Sequence, residues 1–166
     1  MGRLMNRTST RRVAAALALL FTVAACGHDS DKPTMTRAEA KQRTQDYIAQ
    51  VLAAFPQPVT AAAGRENDGY CFKDDAVSEE DGRVNAVTEK TLPGVPLAKH
   101  AEYVAAFRSK AEALGFTATG SGTSLYFTNK SNDFSASIME IGDAERTLQI
   151  GFVSPCVWPD GTKPPG

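Results

Sequence analysis

The cysteines and histidines of this 166-residue sequence could ligate a metal through sulfur or nitrogen. A cysteine can also act as a nucleophile and a histidine as a base. These residues are Cys26, His28, Cys71, His100 and Cys156. A structural zinc site takes about four such ligands at close spacing, and the chain has no Cys-x-x-Cys pair. His100 falls within a helical pattern, with no acid or nucleophile beside it in the sequence, so a general base at this position is a minor alternative. The sequence predicts no metal site and no catalytic residue.

Carboxylates are concentrated between Asp74 and Gly82, where five of nine residues are acidic. A calcium loop is one interpretation, but an EF-hand requires alternating oxygen ligands, a central glycine and a bidentate Glu at its last position. The run has neither the spacing nor the glycine, so we favour a solvated connection between two strands. Nucleophile-elbow, phosphate-loop, dinucleotide and zinc-protease motifs are also absent, and no cofactor is predicted.

The N-terminus has the pattern of an export signal. Four arginines and no acid occupy residues 1–12, and residues 13–25 are apolar except for Thr22. The apolar run is much shorter than the ~20 residues that a helix needs to cross a bilayer. We therefore predict a signal peptide over residues 1–25. Sec export is the default; Arg11 and Arg12 suggest a twin-arginine signal only weakly.

The end of this segment, Val23-Ala24-Ala25-Cys26, resembles the lipobox of bacterial lipoproteins. The resemblance implies cleavage before Cys26 and a diacylglyceryl group on its thiol. Each buried CH₂ contributes about 0.8 kcal/mol, so two acyl chains would hold the protein on the outer face of the cell membrane. The alternative is an ordinary secretory signal, with Cys26 left as a simple thiol.

If Cys26 carries lipid, two cysteines remain for the exported domain. Disulfides persist outside the cytoplasm. We therefore predict a disulfide between Cys71 and Cys156, for which the loop-entropy relation gives about 4 to 5 kcal/mol.

Removal of residues 1–25 leaves 141 residues with 14 basic and 19 acidic side chains, a net charge of −5. This balance argues against a nucleic-acid partner. The length suits one domain, which we place at residues 36–166, after a polar, flexible tether at residues 26–35.

Two segments have helical periodicity. Thr36-x-x-Glu39 is a capping-box pattern and predicts a helix start, with an apolar stripe continuing to Phe55 before Pro56. The first helix is thus predicted at residues 37–55. A second stripe, opened by Pro96 and closed by Gly115, predicts a helix at residues 97–114.

The remaining patterns are those of strands. Residues 64–69 have the composition of a turn. The first strand is predicted from Tyr70-Cys71-Phe72, and a second strand at residues 83–91. From Phe116 to Val153, short turns separate alternating segments, as in an antiparallel meander. The predicted fold is α+β in the order α-β-β-α-β-β-β, a two-layer domain with both helices on one face of an antiparallel sheet.

Trp158 follows the last strand, two residues after Cys156. An exposed tryptophan is often a binding anchor. The interpretation that we favour is that Trp158 packs over the neighbouring disulfide or the sheet edge.

Beyond the lipobox, the layout resembles a group of small lipoproteins common in actinomycetes. The residues that carry this resemblance are Cys26, Cys71, Leu114-Gly115-Phe116 and the terminal Ser154-Pro155-Cys156-Val157-Trp158-Pro159. The group implies a location and a fold but no activity.

Three functions remain open. The leading hypothesis is a lipid-anchored, non-enzymatic module that binds a protein, peptide or small ligand outside the cytoplasm. An envelope hydrolase with an unrecognised site would show a concave pocket with convergent polar groups and a perturbed titratable residue. An inhibitor or immunity-type protein would show an exposed apolar patch of several hundred Å².

Overall fold

A computed structural model describes residues 32–73, 79–142 and 146–165. The helices are α1 (Arg37–Leu52) and α2 (His100–Ala113), and a single 3₁₀ turn (Leu97–Lys99) leads into α2. The strands are β1 (Ala62–Phe72), β2 (Glu80–Leu92), β3 (Thr117–Ser121), β4 (Ser124–Thr128), β5 (Ser135–Ile141) and β6 (Thr147–Val153). The predicted signal peptide, Cys26 and residues 27–31 of the tether lie outside the described residues.

The six strands form one antiparallel sheet in the order β1-β2-β6-β5-β4-β3. The predicted α+β architecture is confirmed, with four strands after α2 where the predicted order has three. Both helices contribute to a single apolar cluster on one face of the sheet. The molecule therefore has two layers, helices over sheet.

The start of α1 is fixed by the predicted capping box. The Glu39 amide donates to Thr36 Oγ1 over 3.2 Å, and the Thr36 amide donates to Glu39 Oε2 over 2.7 Å. The helix ends at Leu52, three residues before the predicted end, and Phe55 still reaches the core at 7% exposure. Pro56 disfavours helical backbone at Phe55, so the chain leaves the helix before it.

The first strand is much longer than predicted. Residues 64–69, which the composition predicts as a turn, lie within β1. Two register shifts, between Ala63 and Glu66 and between Tyr70 and Phe72, accommodate the irregular sequence. Contacts with α1 hold this segment, because Glu66 accepts from Gln45 over 2.6 Å and Asp68 pairs with Arg37 over 3.4 Å.

Aromatic side chains fill the space between the layers. Tyr47 of α1 lies between three rings, with centroids 5.3 Å from Phe116, 5.5 Å from Phe134 and 5.3 Å from Phe152. Such pairs add about 0.5–1.5 kcal/mol each beyond their buried area. This cluster fixes α1 against the sheet.

Alternation along the strands gives the sheet two different faces. One cross-strand row, from β2 to β3, faces the helices and is apolar except for one threonine: Thr88, Phe152, Ala136, Phe127 and Ala118. The neighbouring row points away from the helices. In the part of the chain that the structure describes, neither helix covers that side of the sheet, which we call the uncovered face.

Within residues 32–73, 79–142 and 146–165, neither helix is long and apolar enough to span a membrane.

Candidate functional site

The predicted disulfide is present and closes one end of the domain. Cys71, near the end of β1, is bonded to Cys156, with an S–S distance of 2.06 Å and a Cα–Cα distance of 6.1 Å. The residue that follows the second cysteine, Val157, exchanges backbone hydrogen bonds with Val84 of β2 at 2.8 and 3.0 Å. The bond and this bridge together fasten the C-terminal segment to the β1–β2 hairpin.

Trp158 lies inside this fastened segment. Its side chain is buried, at 3% exposure, and its ring lies next to Gly82 at the start of β2. Its backbone amide donates to Thr34 Oγ1 over 2.8 Å. The tryptophan side chain is thus buried next to the start of β2, and the backbone of Trp158 contacts the incoming chain.

His100 has an acidic partner that its sequence neighbours did not reveal. The residue is 1% exposed, and its Nδ1 lies 2.8 Å from Oε1 of Glu140, near the end of β5. Its Nε2 lies 3.2 Å from the carbonyl oxygen of Val95. Because a carbonyl oxygen can only accept, Nε2 carries a proton and donates it.

The geometry leaves no ring nitrogen of His100 available for proton transfer to a substrate. One nitrogen is committed to a backbone carbonyl and the other to a carboxylate, and the ring is enclosed. A general base must lie within hydrogen-bond reach of the proton that it abstracts. His100 and Glu140 therefore form a structural pair, joining the start of α2 to the end of β5.

Glu140 is held in its charged form by its neighbours. The hydrogen bond with His100 lowers the pKa of Glu140 below its ordinary value of 4.5, against the opposing effect of burial. Arg146, whose Nη1 lies 3.1 Å from Oε2, lowers the pKa further. His100 and Glu140 are 40 positions apart, so no local spacing predicts this contact.

The acidic run predicted as a strand connection lies only partly within the described residues. Residues 74–78 lie outside them. Glu79 pairs with Lys73 over 2.6 Å, and Asp81 accepts from Arg83 Nε over 2.8 Å. Among the residues that the structure describes, no three His, Cys, Asp or Glu side chains are grouped so as to hold a metal.

A cleft of about 370 Å³ runs between α1 and β1, lined partly by charged side chains. Lys41 Nζ lies 3.7 Å from Glu66 Oε1, and Arg37 Nη1 lies 3.4 Å from Asp68 Oδ2. The hydrogen bond from Gln45, followed by the charge of Lys41, lowers the pKa of Glu66. The charged groups of the cleft are thus paired with one another across it.

Large exposed apolar side chains are scattered over the described surface. Tyr70 is 67% exposed on β1, Leu97 52% in the 3₁₀ turn and Tyr126 55% on β4. Three strands separate β1 from β4 in the sheet, so the strands that carry Tyr70 and Tyr126 are about 19 Å apart at 4.8 Å per strand. They do not join into one apolar patch.

The uncovered face carries the best-defined row of functional groups. Register aligns five residues across five strands: Glu89, Gly151, Ser137, Tyr126 and Thr119. A Cβ placed on Gly151 would lie 3.2 Å from Glu89 Cγ and 3.3 Å from Ser137 Oγ. The missing side chain therefore lets an acid and a hydroxyl approach one another in the middle of the sheet. We call Glu89, Gly151, Ser137 and Tyr126 the face row.

Glu89 is the charged member of the face row. It is partly exposed, and Gln149 Nε2 lies 3.5 Å from its Oε2. No lysine or arginine forms an ion pair with it within the part of the chain that the structure describes. The carboxylate can therefore receive a cation from outside the domain.

Sequence analysis did not identify the face row. Alternation indicated that Ser137 and Gly151 point away from the core, but the order of the strands decides which residues stand side by side. That order places β6 between β2 and β5, which the chain sequence does not specify locally. No protein-family model, curated protein or solved structure matches this chain.

Proposed function

We propose that this chain is a lipid-anchored protein on the outer face of the cell membrane and that its domain is a non-enzymatic binding module. The anchoring rests on the Val23-Ala24-Ala25-Cys26 sequence, and the disulfide between Cys71 and Cys156 is consistent with an oxidising compartment. The binding role rests on one observation, the face row on the uncovered side of the sheet.

The chemistry of the face row favours a polypeptide segment that carries lysine or arginine. Glu89 supplies a negative charge, and Ser137 a hydroxyl that can donate or accept. Tyr126, exposed at the other end of the row, offers an amphipathic ring of the kind enriched in protein interfaces. The exported domain is acidic overall, which would steer a basic partner toward it.

A non-enzymatic role is supported by the histidine and by the acids with lowered pKa values. Each such acid has a structural partner: Thr36 for Glu39, Gln45 for Glu66, Arg83 for Asp81 and His100 for Glu140. Salt-bridge networks perturb pKa values without catalysis. The contacts of Glu66 and Glu140 join different elements of the fold, and those of Glu39 and Asp81 stabilise the start of α1 and of β2.

Membrane fractionation tests the anchor. The full-length chain should sediment with membranes after a high-salt wash, and Cys26→Ala should move to the soluble fraction. Cys156→Ser is the matched control, since it removes one cysteine of the disulfide and leaves the lipobox intact. A Cys26→Ala protein that stays on the washed membrane would falsify the anchor.

Substitutions in the face row test the binding surface. The probe is a panel of synthetic peptides matched in length and composition, with lysine and arginine exchanged for glutamine in half of them. Binding to the Cys26→Ala mature domain should favour the basic peptides and weaken at least several-fold in Glu89→Gln and Gly151→Ala. The alanine at 151 fills the gap between Glu89 and Ser137 without removing a polar group.

Two controls separate the face row from general charge effects. Glu112→Gln removes one acid from the exposed surface of α2, on the opposite layer of the domain, and should leave peptide binding unchanged. Circular dichroism should show that each variant is folded. Equal binding of basic and neutral peptides, or equal loss in Glu112→Gln and Glu89→Gln, would contradict the proposed site.

A further inference from the structure

The chain that follows the predicted anchor joins the domain at one defined end. The Thr34 amide donates to the Gly161 carbonyl over 2.8 Å, and the Arg37 amide donates to the Pro159 carbonyl over 3.1 Å. Thr34 Oγ1 accepts from the Trp158 amide over 2.8 Å. Through Cys156, the disulfide fastens the same C-terminal segment to β1. We call Thr34 and residues 156–161 the near end.

The opposite end is defined by the length of α1. The helix begins at Arg37, beside the near end, and its 16 residues carry the chain about 24 Å away at 1.5 Å per residue. Beyond it, Phe55 packs on Tyr103 in the first turns of α2, with ring centroids 5.1 Å apart. The pair of His100 and Glu140 lies at the same end of α2. We call the region of Phe55, His100, Tyr103 and Glu140 the far end.

The length of the tether decides which end can lie on the bilayer. Eight links separate Cys26 from Thr34, a maximum reach of about 28 Å. A flexible linker of eight residues has a root-mean-square span of about 16 Å. An inverted domain would need Thr34 about 24 Å above the lipid surface, the length of α1, and so a tether stretched close to its limit.

We infer that the near end faces the lipid bilayer and that the far end points away from it. The inference rests on the proposed lipid anchor at Cys26. The occupant of the near end is thus a lipid surface, placed there by the short tether and by the three hydrogen bonds that hold Thr34 and Arg37. The attachment lies at an end of the sheet and away from the face row, which stays open to a ligand.

Quenching of tryptophan by spin-labelled lipid measures this orientation, because the chain has a single tryptophan, Trp158, at the near end. The mature chain is coupled through Cys26 to a maleimide lipid in phosphatidylcholine vesicles containing a nitroxide-headgroup lipid. In a Trp158→Phe background, one variant carries Lys163→Trp, near the near end, and the other Leu97→Trp, at the far end. Both positions are exposed.

We expect several-fold stronger quenching of the tryptophan at position 163 than of the one at position 97. Equal quenching, or stronger quenching at position 97, overturns the inference. Chemical coupling bypasses cellular lipidation, so failure of the anchor in cells and failure of the orientation on vesicles are separate results.

A second measurement keeps the native tryptophan, in case Trp158→Phe does not fold. A Gly-Ser segment of 12 residues inserted after Asp31 lengthens the tether to a root-mean-square span of about 25 Å. Quenching of Trp158 should then decrease, because the near end is no longer held close to the lipid. Quenching that is unchanged by the longer tether also overturns the inference.

Discussion

At the scale of single residues, the contact between His100 and Glu140 shows how a partly buried carboxylate can belong to the fold. Both nitrogens of the imidazole face oxygen acceptors, and Glu140 receives further stabilisation from Arg146. Hydrogen bonds to charged groups contribute about 1.5–3 kcal/mol, and more is lost if a buried partner remains unpaired. The pair connects two elements that are distant in sequence.

Replacement of Glu140 by glutamine should make the stability of the domain less dependent on acidic pH. The pKa of Glu140 is lowered below 4.5 when the chain is folded, mainly by the hydrogen bond with His100. Its carboxylate therefore stabilises the fold above the unfolded pKa, and this contribution is lost as pH falls through the folded pKa. Urea unfolding between pH 3 and pH 7 measures the effect.

We expect the wild type to be more stable than Glu140→Gln at pH 7, by about 1–3 kcal/mol. The difference should shrink as the pH falls below 4.5. Glu112→Gln is the control, because Glu112 lies on the outer surface of α2. Parallel pH profiles for wild type and Glu140→Gln would show that the carboxylate does not contribute as described.

At the scale of elements, the start of α1 depends on the capping box. Thr36→Ala removes the acceptor for the Glu39 amide and should lower the free energy of unfolding by about 1 kcal/mol. Thr36→Ser keeps the hydroxyl and should retain most of the stability. The urea midpoint of the two variants checks the prediction, and equal midpoints for alanine and serine would contradict it.

The capping box also shows what a sequence can specify about an element. Thr36 and Glu39 are three residues apart, so their pattern identifies the helix start. The extent of β1 is different, because Gly64 and Gly69 bracket charged residues that have turn composition. That segment becomes a strand through partners far along the chain, on β2 and α1, which local composition does not include.

The candidate site follows the same rule at longer range. Alternation predicts the outward direction of Ser137 and Gly151, but β6 pairs with β2 across more than fifty residues of intervening chain. Only this pairing places Glu89 beside Gly151. The face row could therefore not be derived from any one strand, although the antiparallel α+β architecture was predicted correctly.

At the scale of the whole molecule, the disulfide links the near end to the sheet. It joins positions 85 residues apart and holds the segment that contacts Thr34. Without the disulfide, the C-terminal segment would keep the hydrogen bonds between Val157 and Val84 and those to the incoming chain. It would lose its covalent link to β1. The near end should then open before the rest of the domain.

Removal of the disulfide tests this order of unfolding. In a Cys26→Ala background, Cys71→Ala with Cys156→Ala should lower the stability of the domain by about 2–5 kcal/mol, the usual cost of losing a native disulfide. Hydrogen exchange should rise first at the amides of Val84 and Val157, each of which donates to the carbonyl oxygen of the other residue, and least in β5, at the centre of the sheet. The Cys26→Ala protein with its disulfide intact is the reference. If exchange instead rises equally across β5 and the near end, the near end does not open separately from the rest of the domain. The disulfide then acts only through the global unfolding equilibrium.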